Sequence, residues 1–160
     1  MQANVHCARA LEIGLRTVKP TVAIRSMEGK PLILYVDDDD MLAFLVQREL
    51  AGFEIFHVDN VDDAMEFLNR SGVYEDARRP ALVLLDLNMP RRDGFQVLAE
   101  IRATPSLAMV PVAIFTTSQS PADRAKAFAH GADHFIQKPS GLGGFSDLAT
   151  TLADIVRRGT

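Results

Sequence analysis

The sequence predicts an α/β domain, an open doubly wound parallel sheet with helices on both faces, and three observations carry that expectation. From Pro31 onward, five short apolar runs alternate with five stretches of helical period, the pattern of parallel strands joined by crossover helices. Runs one, three and four are almost continuously apolar, as strands buried on both faces are. Polar clusters follow directly on four of the strands, at Asp37–Asp40, Asp86, Thr116–Ser118 and Lys138, so they gather at the carboxyl edge, where such sheets carry their sites.

Each element has a local cause. Leu32-Ile-Leu-Tyr-Val36 is the first strand, and Leu42, Leu45, Val46 and Leu50 then fall on one helical face. Glu54-Ile-Phe-His-Val58 alternates polar and apolar residues and reads as an edge strand; Val61, Ala64, Met65 and Leu68 form the stripe of the next helix. Ala81-Leu-Val-Leu-Leu85 is a central strand, followed by a helix carrying Phe95, Leu98 and Ile101 inward. Val110-Pro-Val-Ala-Ile-Phe115 is the fourth strand. Ser120, Pro121 and Asp123 supply an N-cap, a first-turn proline and an acid near a helix N-terminus, so the fourth helix starts there. His134-Phe-Ile-Gln137 is the fifth strand, and Phe145, Leu148, Leu152 and Ile155 mark a last helix ending near Arg158.

The 160 residues suit one domain. With 48% hydrophobic and 24% charged residues the chain can bury a core. Residues 1–30 hold five Lys or Arg against two Glu, a balance of +3, and lack a sustained apolar period; residues 31–160 carry −7. We therefore expect 1–30 to be a flexible extension, with Met27 a candidate start, and 31–158 to be the folded domain. A net charge of −4 argues against a direct nucleic-acid partner, which would need a positive footprint. Cys7 is alone, so no intrachain disulfide forms. No apolar run approaches the roughly 18 residues of a membrane span, and Arg9, Glu12 and Arg16 interrupt any signal-peptide core, so the expectation is cytoplasmic with no membrane partner.

Four consecutive acids after the first strand have a bland reading, a solvated turn before a helix that favours negative charge at its N-terminus. Asp86 weakens it. A carboxylate ending a buried strand is costly unless paired, and the acids of the adjacent strand end can join it around one cation. Mg²⁺ prefers octahedral oxygen ligands and keeps several waters, so two carboxylates and one backbone carbonyl are a typical protein contribution. A calcium loop counted from Asp37 would need Asp or Asn at 41 and Gly at 42, where the chain has Met41 and Leu42. A cation, a lysine and a strand-end hydroxyl together meet the needs of a phosphoryl group: Asp86 as nucleophile, Lys138 and Thr116 on the phosphoryl oxygens, an acyl phosphate as product.

Four segments then resemble a known family. Val36-Asp37-Asp38, Leu84-Leu-Asp-Leu-Asn-Met-Pro90 with Asp93-Gly94, Phe115-Thr-Thr-Ser118, and Phe135-Ile-Gln-Lys-Pro139 are similar to the receiver domain of two-component response regulators, with 30 residues from Asp86 to Thr116 and 22 more to Lys138. The resemblance spans residues 31 to about 158. It implies a flavodoxin-like sheet of order 2-1-3-4-5, phosphorylation of Asp86 by a histidine kinase or phosphotransfer protein, and Mg²⁺ held by Asp38, by Asp37 chiefly through water, by Asp86 and by the main-chain carbonyl of Asn88. It further implies a switch pair, Thr116 and Phe135, which alters the face of helix 4, strand 5 and helix 5 for a downstream protein target or a homodimer. Lys138 matches the phosphate-binding lysine, with a cis peptide at Pro139; Asn88 and Ser118 match positions at the mouth of the site. The segments around Asp86 and Thr116 look like those of small regulators paired with phytochrome-like kinases. The last helix leaves no room for an output domain, so a stand-alone receiver, not an enzyme, is expected.

Other features carry less. Asp39 and Asp40 are not family metal ligands and read as a solvated turn. His57, His130 and His134 form no ligand set. Asn69-Arg-Ser71 matches a glycosylation acceptor that a cytoplasmic chain never uses. Ser140-Gly-Leu-Gly-Gly144 is a looser link than the family usually shows. Two rivals remain. A phosphatase of the haloacid dehalogenase type would use Asp37 and Asp39, but lacks the late acidic pair after the lysine and leaves Asp86 without a role. A receiver-like module that has lost phosphorylation would not need Asp37, Asp38, Asp86, Thr116 and Lys138 together.

Overall fold

The computed structural model describes residues 29–90 and 93–159. The expected extension at 1–30 and the lone Cys7 lie, but for Gly29 and Lys30, outside the described residues. Five strands, β1 (Leu32–Val36), β2 (Glu54–Val58), β3 (Leu82–Leu85), β4 (Val112–Thr116) and β5 (His134–Gln137), form one parallel sheet in the order β2-β1-β3-β4-β5. Helices α1 (Asp40–Glu49), α2 (Val61–Asn69), α3 (Gly94–Ala103), α4 (Pro121–Ala129) and α5 (Gly144–Arg158) connect and follow them. The flavodoxin-like order and the edge position of β2 are as expected.

Strand pleating divides the core in two. Leu34, Val36, Val83, Leu85, Val112 and Ile114 face α2 and α3, where Phe67 stacks on Phe56 at 4.6 Å and meets Tyr74 edge-on at 5.5 Å. Ile33, Tyr35, Leu82, Leu84, Ala113 and Phe115 face α1 and α5, against Val46, Leu50, Phe145, Leu148 and Leu152. α4 buries only Ala127, so it is the helix held by the least apolar contact.

β4 starts two residues later than the apolar run suggests, because Pro111 has no N–H for the ladder; its carbonyl instead accepts from Val83 N at 2.9 Å, and Val110 N closes a turn onto Leu107 O. Helix starts follow their caps: Asp39, Asn60, Asp93 and Ser120 each accept a main-chain N–H from the first turn. Gly143 gives α5 no side-chain cap, in keeping with the loose link before it. No helix among the described residues is long and apolar enough to cross a membrane.

Candidate phosphoryl-transfer site

Parallel strands bring their carboxyl ends together, and the first acid after β1 and the first after β3 become neighbours because β1 and β3 pair. Asp86 N bonds to Val36 O at 3.0 Å, so the two strand ends are locked in register at the site itself. Asp37 and Asp86 are buried and Asp38 is exposed. One carboxylate oxygen from each of the three lies within 4.8 Å of the others.

Asp37 is fully engaged. Its Oδ2 accepts from the Tyr35 hydroxyl at 2.5 Å and pairs with Lys138 Nζ at 2.6 Å, and its Oδ1 accepts from Asp39 N at 3.0 Å. Asp86 is not. Lys138 Nζ stands 3.4 Å from Asp86 Oδ1 without the geometry of a hydrogen bond, leaving that buried oxygen with no hydrogen-bond partner. Burial pushes the Asp86 carboxyl above its ordinary range, with the Asp37 charge adding to the rise, while Lys138 and the main-chain N–H of Asn88 oppose it. Burial, and then the adjacent Asp37, likewise raises the Tyr35 phenol, which therefore stays a donor.

Three carboxylates cluster beside one lysine that reaches two of them, every candidate ligand atom is an oxygen, and one buried carboxylate oxygen accepts no hydrogen bond. This set fits a hard divalent cation. Gly94 allows the tight approach beneath it: a Cβ there would lie 2.5 Å from Asp86 O and 2.9 Å from Leu87 Cα.

The remaining predicted residues are carried by the segment after β3, by β4 and the turn after it, and by β5. Thr116 is buried, and its Oγ1 accepts from Ser118 N at 3.1 Å and from Asn88 Nδ2 at 3.4 Å, so the hydroxyl's own proton is uncommitted to either. Asn88 is exposed. Ser118 turns its hydroxyl to α4, donating to Asp123 Oδ2 at 2.6 Å and accepting from Ser120 N at 3.1 Å. Phe135 is half-buried on β5, its ring centroid 5.7 Å from the Arg124 guanidinium of α4. Lys138 is fixed by its own N–H on Thr116 O at 2.8 Å.

One expectation changes. No peptide among the described residues is cis, so the bond before Pro139 is trans, the form an X–Pro bond intrinsically favours by about 0.5–1 kcal/mol. Asp39 is the N-cap of α1 as well as part of an exposed turn. His57, expected to belong to no ligand set, places Nε2 2.7 Å from the main-chain oxygen of Asp37, a structural contact. Tyr35 was hidden inside an apolar run; its only signal is parity, since residues 35 and 37 leave a strand on the same face.

Residues 33–149 match the family of the response regulator receiver domain. Response regulator Rcp1 of Synechocystis sp. is 37% identical over 123 residues, covering 73% of this chain and 84% of that protein. The crystal structure of the Mn²⁺-bound form of Rcp1 superposes with a TM-score of 0.69 at 33% identity, over 78% of this chain and 92% of that one. The phosphorylated cyanobacterial phytochrome response regulator RcpA gives 0.74 at 30% identity, over 82% and 96%.

Proposed function

The chain belongs to the response regulator receiver domain family of two-component signalling proteins, and we propose that Asp86 is its phosphoacceptor. The observation that carries this is the buried Oδ1 of Asp86, which accepts no hydrogen bond and meets the Lys138 ammonium only at 3.4 Å, beside two further carboxylates. An Asp86 carboxylate oxygen attacks the phosphorus of a kinase phosphohistidine; the P–O bond of an acyl phosphate forms as the P–N bond breaks and the imidazole leaves. Lys138, already between Asp37 and Asp86, shifts its ammonium toward the phosphoryl oxygens. The Thr116 hydroxyl, which only accepts from Ser118 and Asn88, donates its proton to one of them. Asp37, Asp38, Asp86 and the main-chain carbonyl of Asn88 would hold Mg²⁺, which supplies the positive charge that offsets the carboxylates and the incoming phosphoryl group.

As Thr116 turns, Phe135 moves inward and the α4–β5–α5 face changes for a protein target or a second copy; α4, with its single buried residue, is the element most easily displaced. The likeness to RcpA, described as a phytochrome response regulator, supports a phytochrome-like histidine kinase as the donor and hence a cytoplasmic location. The protein promotes only its own phosphorylation and dephosphorylation. The folded unit is residues 31–158, and a chain beginning at Met27 keeps it.

The phosphatase reading is disfavoured because both oxygens of Asp37 are occupied and it is no free nucleophile. Intact mass after mixing with acetyl phosphate and Mg²⁺ tests the proposal: the wild-type chain gains one phosphoryl group and Asp86→Asn gains none. Labelling that survives Asp86→Asn but is lost in Asp37→Asn would transfer the nucleophile to the end of β1.

A further inference from the structure

Two aromatic side chains outside the phosphoryl-transfer set close on Asp37. Tyr35 and His57 are register partners across β1 and β2, so the pleat sends both to one face, with ring centroids 5.6 Å apart. The Tyr35 hydroxyl, on a side chain with 0% exposure, donates to Asp37 Oδ2 at 2.5 Å. His57 Nε2 lies 2.7 Å from the Asp37 main-chain oxygen, and because a carbonyl only accepts, that nitrogen carries the proton. The Tyr35 ring is itself wedged edge-on against Phe115 at 5.8 Å. Side chain and main chain of one acid are therefore gripped from two strands.

The grip matters because Asp37 Oδ2 has a second partner, Lys138 at 2.6 Å. If Lys138 is to turn to a phosphoryl group, Asp37 must remain in place without it. A buried carboxylate stripped of one partner would otherwise be free to reorient. We propose that Tyr35 is a positioning residue whose hydroxyl holds the Asp37 carboxylate at the cation site and so frees Lys138 to move, with His57 fixing the same residue's main chain. This rests on Asp86 being the phosphoacceptor only for the movement of Lys138; the hold on Asp37 stands on the contacts alone.

Tyr35→Phe removes one hydroxyl and keeps the ring. Binding of Mn²⁺ to the full chain, followed through the EPR signal of the free ion, should weaken about tenfold, the scale on which partners of metal ligands act. In acetyl phosphate labelling, the Mg²⁺ concentration giving half the maximal rate should rise by a similar factor while the rate at saturating Mg²⁺ stays within about threefold. The chain has two Tyr and no Trp, and Tyr74 packs in the opposite core cluster, so metal-dependent tyrosine emission should be present in the wild type and absent from Tyr35→Phe. A lowered melting temperature with Mn²⁺ affinity within twofold of wild type would show a purely structural role and overturn the proposal. A second variant serves if Tyr35→Phe does not fold: Lys138→Ala should bind Mn²⁺ at least as tightly as wild type, because Tyr35 still holds Asp37, and a tenfold weakening there would overturn it. A wild-type chain that binds Mn²⁺ but never labels would sink the phosphoacceptor reading and the Lys138 half of this one, leaving the hold on Asp37 to be decided by the Mn²⁺ titrations.

Discussion

Gly94→Ala should damage the site from below. The added Cβ would stand 2.5 Å from Asp86 O, about 0.8 Å inside the roughly 3.3 Å at which a carbon rests on a carbonyl oxygen, and 2.9 Å from Leu87 Cα. The three nearest atoms are all main chain, so no side-chain rotation relieves their overlap. α3 must instead move away from the β3–α3 connection, loosening the Gly94 N contact to Leu87 O at 3.4 Å, or push Asp86 outward. Overpacking of this kind costs about 2 kcal/mol. For a domain of this size that lowers the melting temperature by about 6 °C. Because the colliding atom belongs to Asp86, a displacement approaching 1 Å at the proposed phosphoacceptor should slow labelling by about tenfold to a hundredfold. Circular dichroism melts and intact-mass time courses read both numbers. Gly52→Ala, whose Cβ would meet nothing within 4 Å, is the control and should stay within about 0.5 kcal/mol. A Gly94→Ala protein that melts and labels like wild type would refute the close approach and the reasoning built on it.

The remaining perturbations act on charge, stapling and the switch. Asp86→Asn should stabilise the metal-free protein at neutral pH by about 1–2 kcal/mol, since it removes a buried charge that is poorly paired. The sign follows from the raised folded pKa: the protonated acid favours the folded state below its unfolded value, and that contribution is lost as pH rises through the folded value, so the gap between variant and wild type should close below about pH 4 in thermal melts. Excess Mg²⁺ should reverse the order by stabilising only the wild type. Arg102 ties the end of α3 to the carbonyls of Gly131, Ala108 and Val110 and to Asp133, so Arg102→Ala should cost about 2–3 kcal/mol in urea unfolding without abolishing labelling. Thr116→Ala should still label at Asp86 but lose the phosphorylation-dependent change in amide exchange on the α4–β5–α5 face; equal changes in both proteins would remove Thr116 from the switch.

Strand positions were legible where an apolar run is bounded by polar residues or turns, as at Leu32–Val36, Glu54–Val58 and His134–Gln137, which match residue for residue. Hydropathy alone placed the start of β4 too early, because Val110 and Pro111 are apolar yet proline cannot join a ladder. The cluster of Asp37, Asp38, Asp86 and Lys138 could be read from the sequence because each residue follows a strand and parallel strands end together. What periodicity cannot supply is the direction of a single polar atom. The Tyr35 hydroxyl sits in a run that reads as core, His57 resembles any edge-strand histidine, and the Ser118 hydroxyl faces Asp123 through the particular turn into α4. Phe67 lies beside the stripe of Ala64 and Leu68, and its burial depends on Phe56 and Tyr74 arriving from elsewhere in the chain.

Which carboxylate becomes the acyl phosphate is read directly by chemical trapping. After reaction with acetyl phosphate and Mg²⁺, borohydride reduces an aspartyl phosphate to homoserine, and tandem mass spectrometry of the digested protein locates it. The Asp86 oxygen that accepts no hydrogen bond predicts homoserine at position 86 alone; homoserine at position 37 or 38, with Asp86 unchanged, would contradict the assignment.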